Sequence, residues 1–262
     1  MKKVDFKNVC DKAKQGFLSF MYPSDASCYV CDEDLSSVDK THLCYHCKSK
    51  LPFIKNPCKK CGKDVDKGSS CRDCISKKYY FNKAISVCNF DDFARECVYR
   101  FKSASQRCLG EFMAFFMYCA FVNAKIDVDS IICVPISKRK LKMRGFNQAE
   151  DLLKHINKFL GLEDLSECVY ERDCKEEQKK LGANDRLANV KKKFRVRKLS
   201  KIENKNILLI DDVMTTGATA NRISQVLRYG GASKVYVLTF ASVKAESIKG
   251  EKVESVNDMI EI

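Results

Sequence analysis

The sequence predicts a mostly parallel α/β sheet flanked by helices, preceded by a small cysteine-rich domain that folds around metal. Three observations lead there. From about Lys83 onward, short aliphatic and β-branched runs alternate with segments carrying apolar residues at helical spacing, the pattern of a parallel sheet covered on both faces. Ahead of that point, eight of the sixteen cysteines fall in four Cys-x-x-Cys pairs. The chain between these pairs is polar and turn-rich and offers little apolar surface to bury, so metal has to hold it folded. The expected division is an N-terminal segment (1–27), a Cys-rich zinc-binding module (28–80), an α/β domain (81–245) and a C-terminal tail (246–262).

The pairs are Cys28/Cys31, Cys44/Cys47, Cys58/Cys61 and Cys71/Cys74, separated by 12, 10 and 9 residues. Each thiolate pair fills half of a tetrahedral zinc shell, so four pairs suffice for two sites of four cysteines each. Which pairs share a metal stays open, since three combinations exist, and His42 and His46 are spare ligands within the module. A single zinc with idle pairs, or a redox role, are the alternatives.

In the α/β part, "AISVCNF" (84–90) reads as a strand and the apolar run within 106–124 as a helix facing a core. "IICVP" (131–135) is a short buried strand stopped by Pro135. "GFNQAEDLLKHINKFLG" is a helix closed by Gly161. "ECVYE" is a plausible strand and "NILLID" a strong one. "ATANRISQVLRYGG" is a helix ended by Gly230 and Gly231, and "KVYVLTFA" is a further buried strand. Cys88, Cys97, Cys108, Cys119, Cys133 and Cys168 sit among apolar residues and read as small core residues. Cys10 and Cys174 are undecided. His155 falls in a helix, and no histidine is assigned to catalysis.

The stretch "ILLIDDVMTTGAT" (207–219) carries the chemistry. Four aliphatics fit a buried parallel strand, so Asp211 and Asp212 stand where it leaves the core, at the end beyond which ligands sit in such sheets. A glycine entering the next helix lets backbone N–H groups converge on an anion, reinforced by the helix dipole, and Thr215, Thr216 and Thr219 add hydroxyl donors. Asp-Asp as a simple helix cap is the plainer alternative, but a cap needs one acceptor. No glycine opens a Gly-x-x-x-x-Gly-Lys-Ser/Thr loop, which excludes a P-loop ATPase.

Composition narrows the classes further. The longest unbroken apolar run, Met113 to Val122, is ten residues, about half of what a membrane span needs. The N-terminus has no apolar stretch behind its lysines, so no secretory signal and a cytoplasmic location are expected. The net charge of +14 is concentrated: Lys138–Arg144 holds five basic and no acidic residues, and Lys175–Lys205 twelve basic against four acidic. An anionic partner, polyphosphate or nucleic acid, fits that distribution, and a solvated lysine-rich surface is the alternative. The basic loop after Pro135 would face the same crevice as Asp211, with Lys142 and Arg144 as candidates for holding an anionic group, which the resemblance described below makes a pyrophosphate. Gly145 allows close backbone approach, and Phe146 reads as a packing residue.

"ILLIDDVMTTGAT" resembles the phosphoribosyl pyrophosphate (PRPP) motif of type I phosphoribosyltransferases. By that resemblance Asp211 and Asp212 hold the ribose hydroxyls, while Met214, Thr215, Thr216, Gly217, Ala218 and Thr219 wrap the 5′-phosphate, with Val213 beside them. "RGFNQAE" (144–150), the segment carrying Arg172, Gln178, Leu181, Arg186, Asn189 and Phe194, and the Cys-x-x-Cys pairs together resemble the ComF competence-protein family. That resemblance implies a type I phosphoribosyltransferase fold, structural Zn2+, and Mg2+ with PRPP. It also implies displacement at ribose C1, with Arg144 stabilising the leaving pyrophosphate, an acid/base role for Asp211 or Asp212, and an unknown acceptor. Residues 172–194 would serve as a flap over the bound donor or as a surface helix pair. The second reading is a non-enzymatic DNA-uptake factor that binds single-stranded DNA through its basic segments. In either, the zinc module has a DNA-translocating motor protein as a candidate partner.

Overall fold

The computed structural model describes residues 27–35, 40–67, 69–103, 106–172 and 193–248. Cys10, Cys174, Gln178, Leu181, Arg186, Asn189, Lys191 and Lys192 lie outside the described residues. Two compact units make up the chain, Met1–Leu51 and Pro52–Ile262. The first two cysteine pairs fall in the smaller unit, and the last two in the larger, with the sheet.

Each cysteine cluster is built the same way. A turn at Cys28–Asp32 is closed by Asp32 N–H donating to Cys28 O (2.9 Å) and Cys28 N–H to Glu33 O (2.8 Å). Thirty residues later Gly62 N–H donates to Cys58 O (2.9 Å) and Cys58 N–H to Lys63 O (2.8 Å). The other thiolate pair of each cluster comes from a one-turn helix, α1 (Tyr45–Ser49) after Cys44 and α2 (Arg72–Ser76) after Cys71. A short strand, β1 (Ser70–Cys71), precedes α2.

The α/β part then runs β2 (Lys83–Asn89), α3 (Asp92–Phe101), α4 (Leu109–Asn123), β3 (Ser130–Cys133), α5 (Lys138–Arg144), α6 (Gln148–Leu160) and β4 (Glu163–Asp164). It continues through β5 (Val169–Glu171), β6 (Phe194–Val196), β7 (Asn206–Met214), α7 (Ala218–Tyr229), β8 (Lys234–Ser242) and β9 (Ser247–Ile248). The main sheet has the order β2-β8-β7-β3-β4, and every pairing in it is parallel. Ile207, Leu208, Leu209 and Ile210 of β7 are all fully buried. Successive strand residues point to opposite faces, so both faces of the sheet are covered. Helices α4 and α6 pack on each other and on the strands, and α7 packs on β7 and β8. Phe112 of α4 meets Phe240 of β8 edge to face at 5.8 Å. The expected fold class is the one observed.

Three local readings need correction. The basic segment 138–144 is a helix, not a loop: Ser137 caps it by accepting from Lys140 N–H, and Gly145 ends it at φ +78°. "ECVYE" does not join the main sheet, because β5 pairs antiparallel with β6 as a separate ribbon. Cys108 is exposed just before α4 and Cys119 is half-buried, whereas Cys88, Cys97, Cys133 and Cys168 are buried as expected. Phe146 is a packing residue, edge to face with Phe101 at 5.8 Å.

The second cysteine turn sits directly on β2. Gly62 has φ +68°, and a Cβ added there would lie 2.4 Å from the backbone oxygen of Ala84. Gly62→Ala is therefore expected to destabilise the protein by about 1–3 kcal/mol, lowering Tm by at least about 2 °C. A thermal melt indistinguishable from wild type would show that this turn is not seated on β2.

Candidate functional site

Cys28, Cys31, Cys44 and Cys47 form one cluster, and Cys58, Cys61, Cys71 and Cys74 the other, with all Sγ atoms of a cluster within 4.8 Å of one another. Sγ separations of 3.6 Å recur at Cys31–Cys44, Cys58–Cys74 and Cys61–Cys71. Thiolates about 2.3 Å from a tetrahedral zinc stand about 3.8 Å apart, so the donor set fits a structural Zn2+ in each cluster. This settles the pairing: first pair with second, third with fourth. Neither histidine joins a cluster. His42 stacks on Tyr29 at 4.7 Å, and His46 is exposed on α1.

At the carboxyl end of β7, the acids stand within the last residues of the strand rather than after it, since β7 runs on to Met214. Asp211 Oδ1 accepts from Asp212 N–H (2.9 Å), and Asp212 Oδ1 from Val213 N–H (2.7 Å). The other oxygen of Asp212 pairs with Lys102 Nζ at 2.9 Å. Burial and the neighbouring Asp212 charge push the Asp211 carboxyl well above the ordinary carboxylate range.

The turn that follows reaches α7 through Gly217 at φ +74°, and Ala218 N–H donates to Thr216 Oγ1 (3.3 Å). Asp211, Val213, Met214, Thr215, Thr216, Gly217, Ala218 and Thr219 line one small hollow of about 50 Å³. Thr215, Thr216 and Thr219 are exposed to solvent around it. Asp211 also lines an adjoining cavity of about 200 Å³. That cavity takes Asp212, Thr219 and Arg144 from among the expected residues. Arg144 is oriented by donating to Gln148 Oε1 at 2.8 Å. Lys142 is exposed and lines neither space.

Two basic residues of the cavity were not foreseen, Lys102 and Lys140. Lys140 lies one helical turn before Arg144, so both fall on one face of α5, a relation hidden when the segment is read as a loop. Lys102 follows α3 and comes from a segment far from Asp212 in sequence, with no local signal linking them. Lys193 and Glu171, paired at 3.2 Å, complete the rim with Asn147, which caps α6 and donates to Val134 O at 3.1 Å.

Residues 17–75 match a family model described as a double zinc ribbon domain. Competence protein F of Haemophilus influenzae is 29% identical over 216 residues, covering 74% of this chain and 94% of that protein. A DNA utilization protein of Escherichia coli K12 is 24% identical over 80% of this chain and 94% of its own length. Competence protein ComFC of Bacillus subtilis is 28% identical over 81% and 93%. Two solved structures align loosely. One is an allosteric regulatory enzyme of purine biosynthesis (17% identity, TM-score 0.35, 50% of this chain and 26% of that one). The other is a hypoxanthine phosphoribosyltransferase from Staphylococcus aureus (18% identity, TM-score 0.28, 54% and 71%).

Sheet, strand-end acids and cysteine clusters define the class: four-cysteine clusters in a segment matching a double zinc ribbon domain, and a five-stranded parallel sheet with an acid pair at the end of a buried strand. Over most of its length the chain is similar to proteins named for competence and DNA utilization.

The raised pKa of Asp211 has a sign in stability. The unfolded chain releases this proton near the ordinary value of 3.8 while the folded protein keeps it, so stability is lost as pH rises from there to the raised folded value. Asp211→Asn is expected to remove that loss and flatten the stability profile above about pH 4. Denaturant melts across this range check it, and an unchanged slope would place the Asp211 carboxyl in an ordinary, solvated setting.

Proposed function

We propose that the cavity at the end of β7 binds PRPP with Mg2+ and that the protein is built to transfer phosphoribosyl groups to an acceptor. One observation carries the reading: two adjacent carboxylates at a buried strand's end lie between a helix N-terminus opened by Gly217 and a set of cations, Lys102, Lys140 and Arg144. A sugar carrying a phosphate at one end and a pyrophosphate at the other matches that order of groups. The turn 215–219 would take the 5′-phosphate through backbone N–H groups and threonine hydroxyls. Asp211 and Asp212 would take the ribose hydroxyls, and Arg144, Lys140 and Lys102 the pyrophosphate, where fixed cations stabilise charge that develops on the leaving group. Mg2+, when bound with the donor, would neutralise pyrophosphate charge alongside them.

Lys102 has a particular part in this reading. Its ion pair with Asp212 satisfies one carboxylate oxygen, and hydroxyls of the ribose would compete for the same oxygen. The zinc clusters would serve structure alone, in a reducing compartment such as the cytoplasm that keeps the thiols available.

The Asp211→Asn/Asp212→Asn double variant is expected to weaken Mg2+-PRPP binding at least about tenfold by titration calorimetry, since it removes the Asp212 charge and both carboxyl groups that would meet the ribose hydroxyls. Wild-type affinity in that variant would sink the site assignment.

A second reading is favoured by the charge distribution and by the names of the relatives, which refer to competence and DNA utilization. In it the basic segments bind single-stranded DNA, and a motor protein that moves DNA is a natural partner. The logarithm of the affinity for a labelled oligonucleotide is then expected to fall linearly with log salt, and the affinity to drop when Lys191, Lys192 and Lys193 are replaced by glutamine. Binding that is absent or indifferent to salt excludes this reading.

A further inference from the structure

We infer that the second cysteine cluster braces the Thr215–Gly217 turn through the strap 78–81, and that Asn221 and Tyr79 are the positioning residues that make the link. The brace stands on contacts alone. Only its consequence for ligand binding rests on the PRPP reading.

The strap begins where α2, which carries Cys74, ends. Asp73 of α2 holds both sides of this junction, pairing with Lys63 Nζ at 2.6 Å next to the cysteine turn and with Lys77 Nζ at 2.7 Å at the head of the strap. Lys63 is 3% exposed. The strap is then fastened to the first turn of α7: Asn221 Oδ1 accepts from Tyr80 N–H at 2.6 Å, and Asn221 Nδ2 donates to Lys78 O at 3.3 Å. Between these two bonds the Tyr79 ring turns inward, stacked on the fully buried Phe81 at 4.7 Å. Tyr79 O–H donates to Thr216 O at 3.4 Å, and its ring edge lies 3.4 Å from where a Cβ on Gly217 would stand. The same short segment thus touches the turn at Thr216 and Gly217 and the helix behind it at Asn221. A turn whose N–H groups must converge on an anion binds well only if it is held in that shape beforehand. The cysteine cluster holds the strap, and the strap holds the turn.

Coupling of this kind is reciprocal: what steadies the turn slows metal loss, and what loosens the strap frees the turn. Zinc transfer to a chromogenic chelator, followed in the full chain, separates the two metals by rate. Asn221→Ala is expected to speed the release of one zinc about tenfold, the scale of two lost hydrogen bonds, and to leave the other unchanged. Hydrogen exchange should rise in parallel at residues 215–221 and stay at the wild-type level at Ile207–Ile210. Asn221→Asp keeps the acceptor for Tyr80 N–H and should fall between, and it carries the test if Asn221→Ala loses protection throughout the sheet. A change in only one readout, or in neither, overturns the inference. Mg2+-PRPP added to wild type should slow release of the same zinc, and should not do so in Asn221→Ala. If PRPP has no effect on wild type while the Asn221 variants behave as stated, the brace stands and the PRPP reading falls.

Discussion

Strand β7 is buried on both faces and hydrogen-bonded along both edges, and that constraint decides where every polar group of the cavity can stand. Its first residues have no freedom to carry charge, since Ile207 to Ile210 are enclosed by helices and flanked by β3 and β8. Charge becomes affordable only where the helical layers end, and there two carboxylates appear in succession. Burial and the adjacent Asp212 charge raise the Asp211 carboxyl above the ordinary range, while Asp212 reaches Lys102. The parallel arrangement adds to this by delivering β3 to the same end, so that Val134, Pro135 and the basic helix α5 open onto the same cavity.

A parallel sheet has two edges that would otherwise offer unpaired backbone, and this chain treats them differently. The β4 edge is short and carries exposed Glu163 and Asp164, a charged edge that discourages further pairing. The β2 edge is covered by the chain leading into and around the second cysteine turn. Ile54 N–H donates to Val87 O at 3.1 Å, Asn89 N–H to Pro52 O at 2.8 Å, and Ala84 N–H to Lys60 O at 2.8 Å. The second cysteine turn is thereby part of the sheet's own hydrogen bonding, which explains why it falls within the larger unit although its composition is that of a separate module.

What could be read from sequence follows from which forces are local. The strands were legible because continuous aliphatic runs such as Ile207–Ile210 have few other uses, and α6 because Leu152, Leu153 and Ile156 recur on one face up to Gly161. Helix α5 was not: with five basic residues in seven it has no apolar stripe, and its only signals are the Ser137 cap and Gly145. The zinc ligands were evident from Cys-x-x-Cys spacing, but their pairing was not, because that depends on how turns and helices meet in space. Lys102 was invisible for the same reason, and Lys140 became visible only once Arg144 was known to be on a helix. Asp211 and Val213 to Thr219 lie within nine successive residues, and the structure gathers them around one hollow, whereas Lys142, legible only by its charge, is exposed and lines neither space.

The two cysteine turns look like copies, yet they are no longer interchangeable parts. At the matching position one uses Asp32 at φ +59° and the other Gly62 at φ +68°. The backbone bend is common to both, and in the second a Cβ at that position would meet the backbone of Ala84 on β2. An aspartate that serves the first turn would collide with Ala84 in the second. Exchanging the two halves of the ribbon would preserve every metal ligand and still break the molecule, because one copy has become a wall of the sheet.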